Sequence, residues 1–418
     1  MNLAHERRSW TLIYLALGLV EGSTAAVLVR ALFSQVVPTL AVDLIVALVT
    51  SAPSWANLAS LFYARRAQGR PKVAFMQPLL FAMVACIAVL ACVPRSGPGL
   101  LMFFLFYVAA RLLWTGVETV RAVLWSVNFP NRMRARITGR IAINTSIALA
   151  TVGLAAGWLL GQPGSAWRVF ALLCCSCAAA GAVRFGRFQV RAEQALLDQE
   201  RERLAEGIAF GLAGMRDLLR RDPAFREYQY ALAMFGAGLL AVTPLLIVCL
   251  NEVLHLPALT QVMVTTAIPV LVVPLSVQVW AGYLDRHRVL SFRAAHSRFA
   301  VAAVALFMVA VSLRWHWLLY PGAALLGLSN SAGSLGWTLG HNQFAPRGEE
   351  TRYMALHVTM TGLRGLLMPP LAVGLYHGLS ALRPGWGPLA LGLPLLLVTV
   401  GAARFAAMDR ADRRAPHG

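Results

Sequence analysis

The chain has 418 residues, 58% hydrophobic and only 13% charged, with a mean hydropathy of +0.64. A soluble domain is about half apolar and about a quarter charged. Too few charges are present to solvate a globular surface, which excludes an ordinary soluble enzyme, a disordered chain, a coiled coil and a disulfide scaffold. The net charge of +19 comes from 36 Arg and a single Lys, Lys72. Their clustering between apolar runs fits the loops of a membrane protein and not a nucleic-acid surface.

Arg7 and Arg8 precede an apolar run that starts at Trp10 and continues past Glu21 to about Phe33. That run is too long for a signal-peptide core, and no small-residue cleavage site follows a short one, so it reads as a retained first span. A span needs about 20 apolar residues. Runs and breakers along the chain predict twelve spans, at 10–33, 40–63, 73–93, 99–126, 138–161, 165–183, 229–250, 259–284, 294–313, 317–340, 353–376 and 386–407. Only Pro38-Thr39 separates the first two.

Residues 184–228 differ in kind, with nine Arg and the run Asp198-Gln199-Glu200-Arg201-Glu202-Arg203. Leu196, Leu197, Leu204 and Ile208 recur there at near-helical spacing, which predicts an amphipathic helix at the membrane surface or against loop ends. The expected fold is an all-α, polytopic membrane protein. A six-helix half over 1–184 is followed by a linker over 185–228, a second six-helix half over 229–407 and a tail over 408–418.

Placing the N-terminus inside gives the inner segments 29 basic residues and the outer loops four, Arg95, Arg168, Arg314 and Arg383. This asymmetry predicts that both termini and the linker are cytoplasmic, in a bacterial cytoplasmic (inner) membrane. All six cysteines fall inside apolar runs, where thiols pack as small hydrophobes. Cys174 and Cys177 have C-x-x-C spacing but no second pair, so no metal and no cofactor is expected.

Two six-span halves around a charged linker form a repeat pattern typical of transporters. Local echoes support the repeat. Asn128-Phe129-Pro130 and then Ile137-Thr138-Gly139-Arg140 follow the fourth span; Asn342-Gln343-Phe344-Ala345-Pro346 and then Arg352-Tyr353-Met354 follow the tenth. The loop after the eighth span reads Trp280-Ala281-Gly282-Tyr283-Leu284-Asp285-Arg286-His287-Arg288. The loop after the second reads Ala64-Arg65-Arg66-Ala67-Gln68-Gly69-Arg70-Pro71-Lys72.

Over essentially its whole length the chain resembles the major facilitator superfamily, whose inner loops carry a motif like G-x-L-x-D-R-x-G-R-K. The later loop keeps the Asp285-Arg286 pair. The earlier one keeps Gly69-Arg70 but has Ala64 where the acid would fall. The resemblance implies a gating role for these loops, with Asp285 as a charge latch. It also implies that the first and fourth spans line a central cavity. Arg111-Leu112-Leu113-Trp114-Thr115-Gly116 is similar to the buried Arg-Gly pattern of proton-coupled members, with one extra residue before the glycine. The Gly-Pro antiporter signature of the fifth span is missing; Gly153, Gly157 and Gly161 stand there as a small-residue packing face.

Charges inside spans carry most of the functional information, because each costs at least about 2.5 kcal/mol if it faces lipid. Glu21 and Arg111 lie near mid-span, and Glu118 follows Arg111 by two helical turns on a similar face. Arg121 is a turn further on, while Arg30 and Asp43 form a structural pair near the outer end. In the eleventh span His357 and Arg364 share a face, and Gly362, Gly365 and Pro369-Pro370 are expected to bend the helix. Candidates for proton coupling or the substrate cavity are thus Glu21, Arg111, Glu118, Arg364, Trp114, Asn57 and His357; those for the gating loops are Asp285, Arg286, Gly69 and Arg70.

The acids in or beside spans, Glu21, Asp43, Glu118 and Glu252, form no D-x-x-D or H-x-x-x-H arrangement that would suggest an enzyme. The resemblance implies a secondary active transporter that moves a small molecule by alternating access, coupled to protons, as a monomer in the lipid bilayer and without nucleic acid. A non-transporting sensor or scaffold on the same fold is the alternative.

Overall fold

A computed structural model describes residues 2–129, 131–191, 193–205, 212–346 and 349–414. All regular elements among the described residues are helical. Eleven helices are long and apolar enough to cross a membrane. The twelfth, Leu319–Leu339, is uncharged but diluted by Gly, Ser and Asn, and it packs against the eighth and ninth spans in the tenth position. The twelve expected spans are therefore present in order.

Several helices run beyond the apolar core, since a helix keeps its backbone bonds after leaving the hydrocarbon. The fifth spans Asn131–Leu160, starting earlier than its apolar run, and the ninth spans Val289–Leu313. Arg293, counted from sequence with the inner loop, is consequently a buried residue of the ninth helix. The eleventh, Glu350–Leu382, stays helical through Pro369 and Pro370.

Other spans are interrupted. The first consists of Asn2–Leu17 and Gly22–Phe33, with Glu21 in an extended conformation at the break. Gly22 packs so closely on the second span that a Cβ would lie 2.6 Å from the Thr50 carbonyl oxygen. The second span passes from Thr39–Trp55 through a 3₁₀ turn, Ala56–Ala59, into Ser60–Ala67. Pro53 removes a backbone donor just before that turn. The eighth contains one π turn, Met263–Ala267, followed at once by Pro269.

Each half has its own apolar core, one centred on Trp10, Phe103 and Tyr107, the other on Phe225, Phe307 and Phe405. The described residues of the linker are helical over Glu193–Ala205 and Leu212–Arg221. Leu197 is buried in the first, and Leu218 of the second joins the C-terminal core. Ile208 and Pro130 lie outside the described residues.

Small residues form much of the seam between halves. A Cβ on Gly157 would stand 3.1 Å from Leu259 Cα, and one on Gly365 would stand 2.7 Å from Ser54 Cβ. Gly153 faces Val262 across the same seam, but Gly161 meets only its own turn and lies outside the packing face.

At the end remote from the linker, a charge cluster built on the buried Arg30 and Asp43 spans the seam. The Arg30 guanidinium donates to Asp43 and to Glu252, while His377 Nε2 lies 2.8 Å from Asp43 Oδ2. Arg30 and Asp43 come from the first half, Glu252 and His377 from the second. The structural pair expected from sequence is thus half of a larger knot. Removing one member of a buried ion pair leaves an uncompensated charge, at a cost of about 3–5 kcal/mol. Asp43→Ala should lower the thermal unfolding midpoint in detergent markedly, while Asp285→Asn on the exposed loop leaves it in place. Equal midpoints for Asp43→Ala and the wild type would deny the cluster its structural role.

Candidate substrate cavity

The interruptions in the first two spans converge on one cavity of about 560 Å³. Irregular backbone at membrane depth is tolerated where it lines a cavity. The first span supplies Tyr14, Leu17 and Glu21, the second Pro53, Ser54 and Asn57, and the fourth Arg111, Trp114 and Glu118. Leu149 of the fifth completes the N-terminal wall. Across the seam stand Ser334 and Trp337 of the tenth span and Thr361 of the eleventh. All charges on the lining come from the first half.

Five sequence candidates are brought together here: Glu21, Asn57, Arg111, Trp114 and Glu118. The break at Gly18–Glu21 presents Glu21 to the cavity at the start of the second helical piece. Arg111, Trp114 and Glu118 project together because three- and four-residue steps share a helix face. Arg111 is 5% exposed. Among the described residues neither its guanidinium nor the Glu21 carboxylate makes a hydrogen bond or an ion pair.

The neighbouring charges are satisfied. Arg121 lies 3.5 Å from Glu118 and is surrounded by the rings of Trp10, Trp114, Trp125 and Tyr14, with centroids 4.8, 5.2, 4.7 and 6.0 Å from its guanidinium carbon. Its guanidinium also donates to Tyr14 Oη at 3.3 Å. Glu6 braces this cage by accepting from the indoles of Trp10 and Trp125. Sequence reasoning missed the cage, although Arg111, Trp114, Glu118, Arg121 and Trp125 follow one another at three- and four-residue steps.

Arg364 and His357 are not among the lining residues. Arg364 turns into its own half, donating to the Leu232 carbonyl and, at 2.7 Å, to Thr361 Oγ1. His357 is buried against Trp337, with ring centroids 5.6 Å apart. Both therefore stand behind the wall that Trp337 and Thr361 form. A separate hollow of about 610 Å³ opens at the linker end among Arg7, Arg8, Thr11 and Arg184, and none of the mid-span charges reaches it.

At the gating loops the structure shows a different pairing from the one expected. Asp285, Arg286 and Arg70 are exposed, and among the described residues Asp285 makes no ion pair. The ion pair at that end joins Arg288 to Asp412 at 2.6 Å. In the first loop the acid comes from the linker: Glu200 Oε2 accepts from the Gly69 amide at 2.8 Å and from Lys72. Lys72 is buried and donates also to the Ala67 carbonyl at 2.6 Å. Glu200 thus brings a carboxylate to a loop that has none of its own between Ala64 and Lys72.

The contacts joining the halves run through the first, second, fifth, seventh, eighth and eleventh spans. At the linker end the described ion pairs stay within a half or tie the linker to one half.

The sequence profile described as the Major Facilitator Superfamily matches residues 19–369, which takes in both halves. The chain belongs to this family. It is a multi-pass membrane transporter of the superfamily, and not an enzyme. No curated protein matches its sequence. Solved structures share the fold at low identity. A bacterial homolog of the human lysosomal transporter Spinster, in an inward-facing and occupied conformation, is 14% identical with a TM-score of 0.66, over 99% of this chain and 98% of that one. The D-xylose-proton symporter is 12% identical with a TM-score of 0.70, over 96% and 97%. The POT family transporter PepTSo is 12% identical with a TM-score of 0.73, over 100% and 99%.

The Lys72–Glu200 contact anchors the first linker helix to the N-terminal half. Glu200→Gln should speed proteolytic cleavage in the linker and also lower the unfolding midpoint, because it leaves the buried Lys72 ammonium without its carboxylate. Cleavage at the wild-type rate would show that Glu200 does not hold the linker.

Proposed function

We propose that this superfamily member moves a small molecule by alternating access and that Glu21 carries a coupling proton. The observation that carries the reading is the pair of unpartnered, opposite charges, Glu21 and Arg111, on the wall of the mid-membrane cavity. A carboxyl without a fixed partner can take up and release a proton as its surroundings change. Glu118 is less suited, because Arg121 already neutralises it.

The moving bodies are the halves at 1–184 and 229–407. The Arg30–Asp43–Glu252–His377 cluster closes one side and must open for the cavity to face the other. Glu252 and His377 would then separate from Arg30 and Asp43, which keep each other company in the first half. With the linker in the cytoplasm, as the 29-to-four split of basic residues supports, the present conformation faces inward. The membrane is a bacterial inner membrane and the working unit a monomer, since one chain supplies the entire cavity lining.

Two experiments test this. Glu21→Gln keeps the shape of the side chain but cannot ionise, so it should abolish pH-driven uptake or efflux while leaving substrate exchange measurable. An unchanged pH dependence would remove Glu21 from the proton path, and ligand binding without any flux would favour a sensor. For orientation, Phe210→Cys should react with an impermeant maleimide in inside-out vesicles only; labelling in intact cells would reverse the topology.

A further inference from the structure

The lining of the cavity constrains the charge of what it carries. Arg111 cannot shed its proton under physiological conditions. Buried without an ion pair, it needs a counter-charge when the cavity is occluded, and Glu21 supplies one only while ionised, since it can neutralise itself by taking a proton. The Glu118–Arg121 pair sums to zero, and the C-terminal half contributes Ser334, Trp337 and Thr361, which carry no charge. The titratable groups around Glu21 are Tyr14 on its own span and Tyr107, Arg111 and Glu118 on the fourth. The second, fifth, tenth and eleventh spans bring it none among the described lining residues.

We infer that the substrate is an organic monoanion whose carboxylate binds Arg111 and which crosses together with one proton on Glu21. This inference rests on Glu21 as the proton carrier and adds the class of substrate. The empty cavity holds the Arg111 cation and the Glu21 anion, which cancel. Anion alone would leave it one charge negative, and proton alone one charge positive. With both bound, the sum is zero again. Empty and fully loaded carriers therefore change conformation at the same net charge, while each half-loaded state must move an uncompensated charge through a low-dielectric site. Coupling follows from this restriction, at one proton per anion and with no net charge transferred.

The walls describe the rest of the molecule. Trp114 and Trp337 face the cavity from opposite halves, so a flat apolar or aromatic body can lie between them. A guanidinium receives a carboxylate through two parallel hydrogen bonds, which neither an amide nor an alcohol can reproduce.

The test uses the full chain and three probes: 4-hydroxybenzoate, gallate and indole-3-acetate. Each is compared with its own amide, and with the zwitterions phenylalanine and tryptophan. At least one carboxylate should raise the unfolding midpoint of the wild type, more at pH 5.5 than at pH 8, and its amide should not. Arg111→Gln should abolish that shift; Arg111→Lys, which keeps the charge but loses the fork, should weaken binding about tenfold. In proteoliposomes, flux above the Arg111→Gln background should follow an imposed pH gradient and ignore a potassium diffusion potential.

The inference is overturned if no carboxylate binds, if amides or zwitterions bind as well, or if Arg111→Lys binds like the wild type. Transport of a zwitterion that loses its pH dependence in Glu21→Gln would overturn the monoanion and leave the proton carrier standing. Carboxylate flux driven by the potential and unaffected by Glu21→Gln would overturn the proton coupling and leave the Arg111 site standing.

Discussion

An unpaired charge in a low-dielectric interior is expensive, and the structure of this transporter is arranged around how each mid-membrane charge is neutralised. Arg30 is neutralised by Asp43 and Glu252 and Arg121 by Glu118 within a ring of aromatic faces, while Arg364 keeps its charge and is hydrogen-bonded by a carbonyl and a hydroxyl of its own half. Arg111 and Glu21 alone among these are left to the cavity. Static charges hold the frame, and the two unpartnered ones face the space where a cargo and a proton can complete them.

The same constraint shapes the backbone. A polar group at depth needs either a partner or water, so helices can break only beside a cavity. The first span opens at Gly18–Glu21 and the second tightens at Ala56–Ala59, both against the lining. Elsewhere the seam is dry and close, made from glycines that let the second span approach the eleventh and the fifth approach the eighth.

Much of this was legible in the sequence because membrane physics writes itself in hydropathy. Apolar length marked the spans. The cost of mid-span charge singled out Glu21, Arg111 and Glu118. What the sequence does not show are partners, which depend on distant segments meeting. Arg364 reads as a cavity residue by depth, yet Gly236 of the seventh span leaves room for its guanidinium to turn away. Asp285 reads as a latch by motif, yet the engaged loop contact uses Glu200, some 130 positions from Gly69 and Lys72. His377 carries no local signal at all; only the fold brings it to Asp43.

The central claim is that Glu21 alternates between a neutral and a charged carboxyl within the membrane. Infrared difference spectroscopy of the reconstituted protein across a pH titration reads that directly, through the stretching band of a protonated carboxyl. The account predicts a titrating band that disappears in Glu21→Gln and survives in Glu118→Gln. A band that persists unchanged in Glu21→Gln, or that vanishes only with Glu118→Gln, would contradict it.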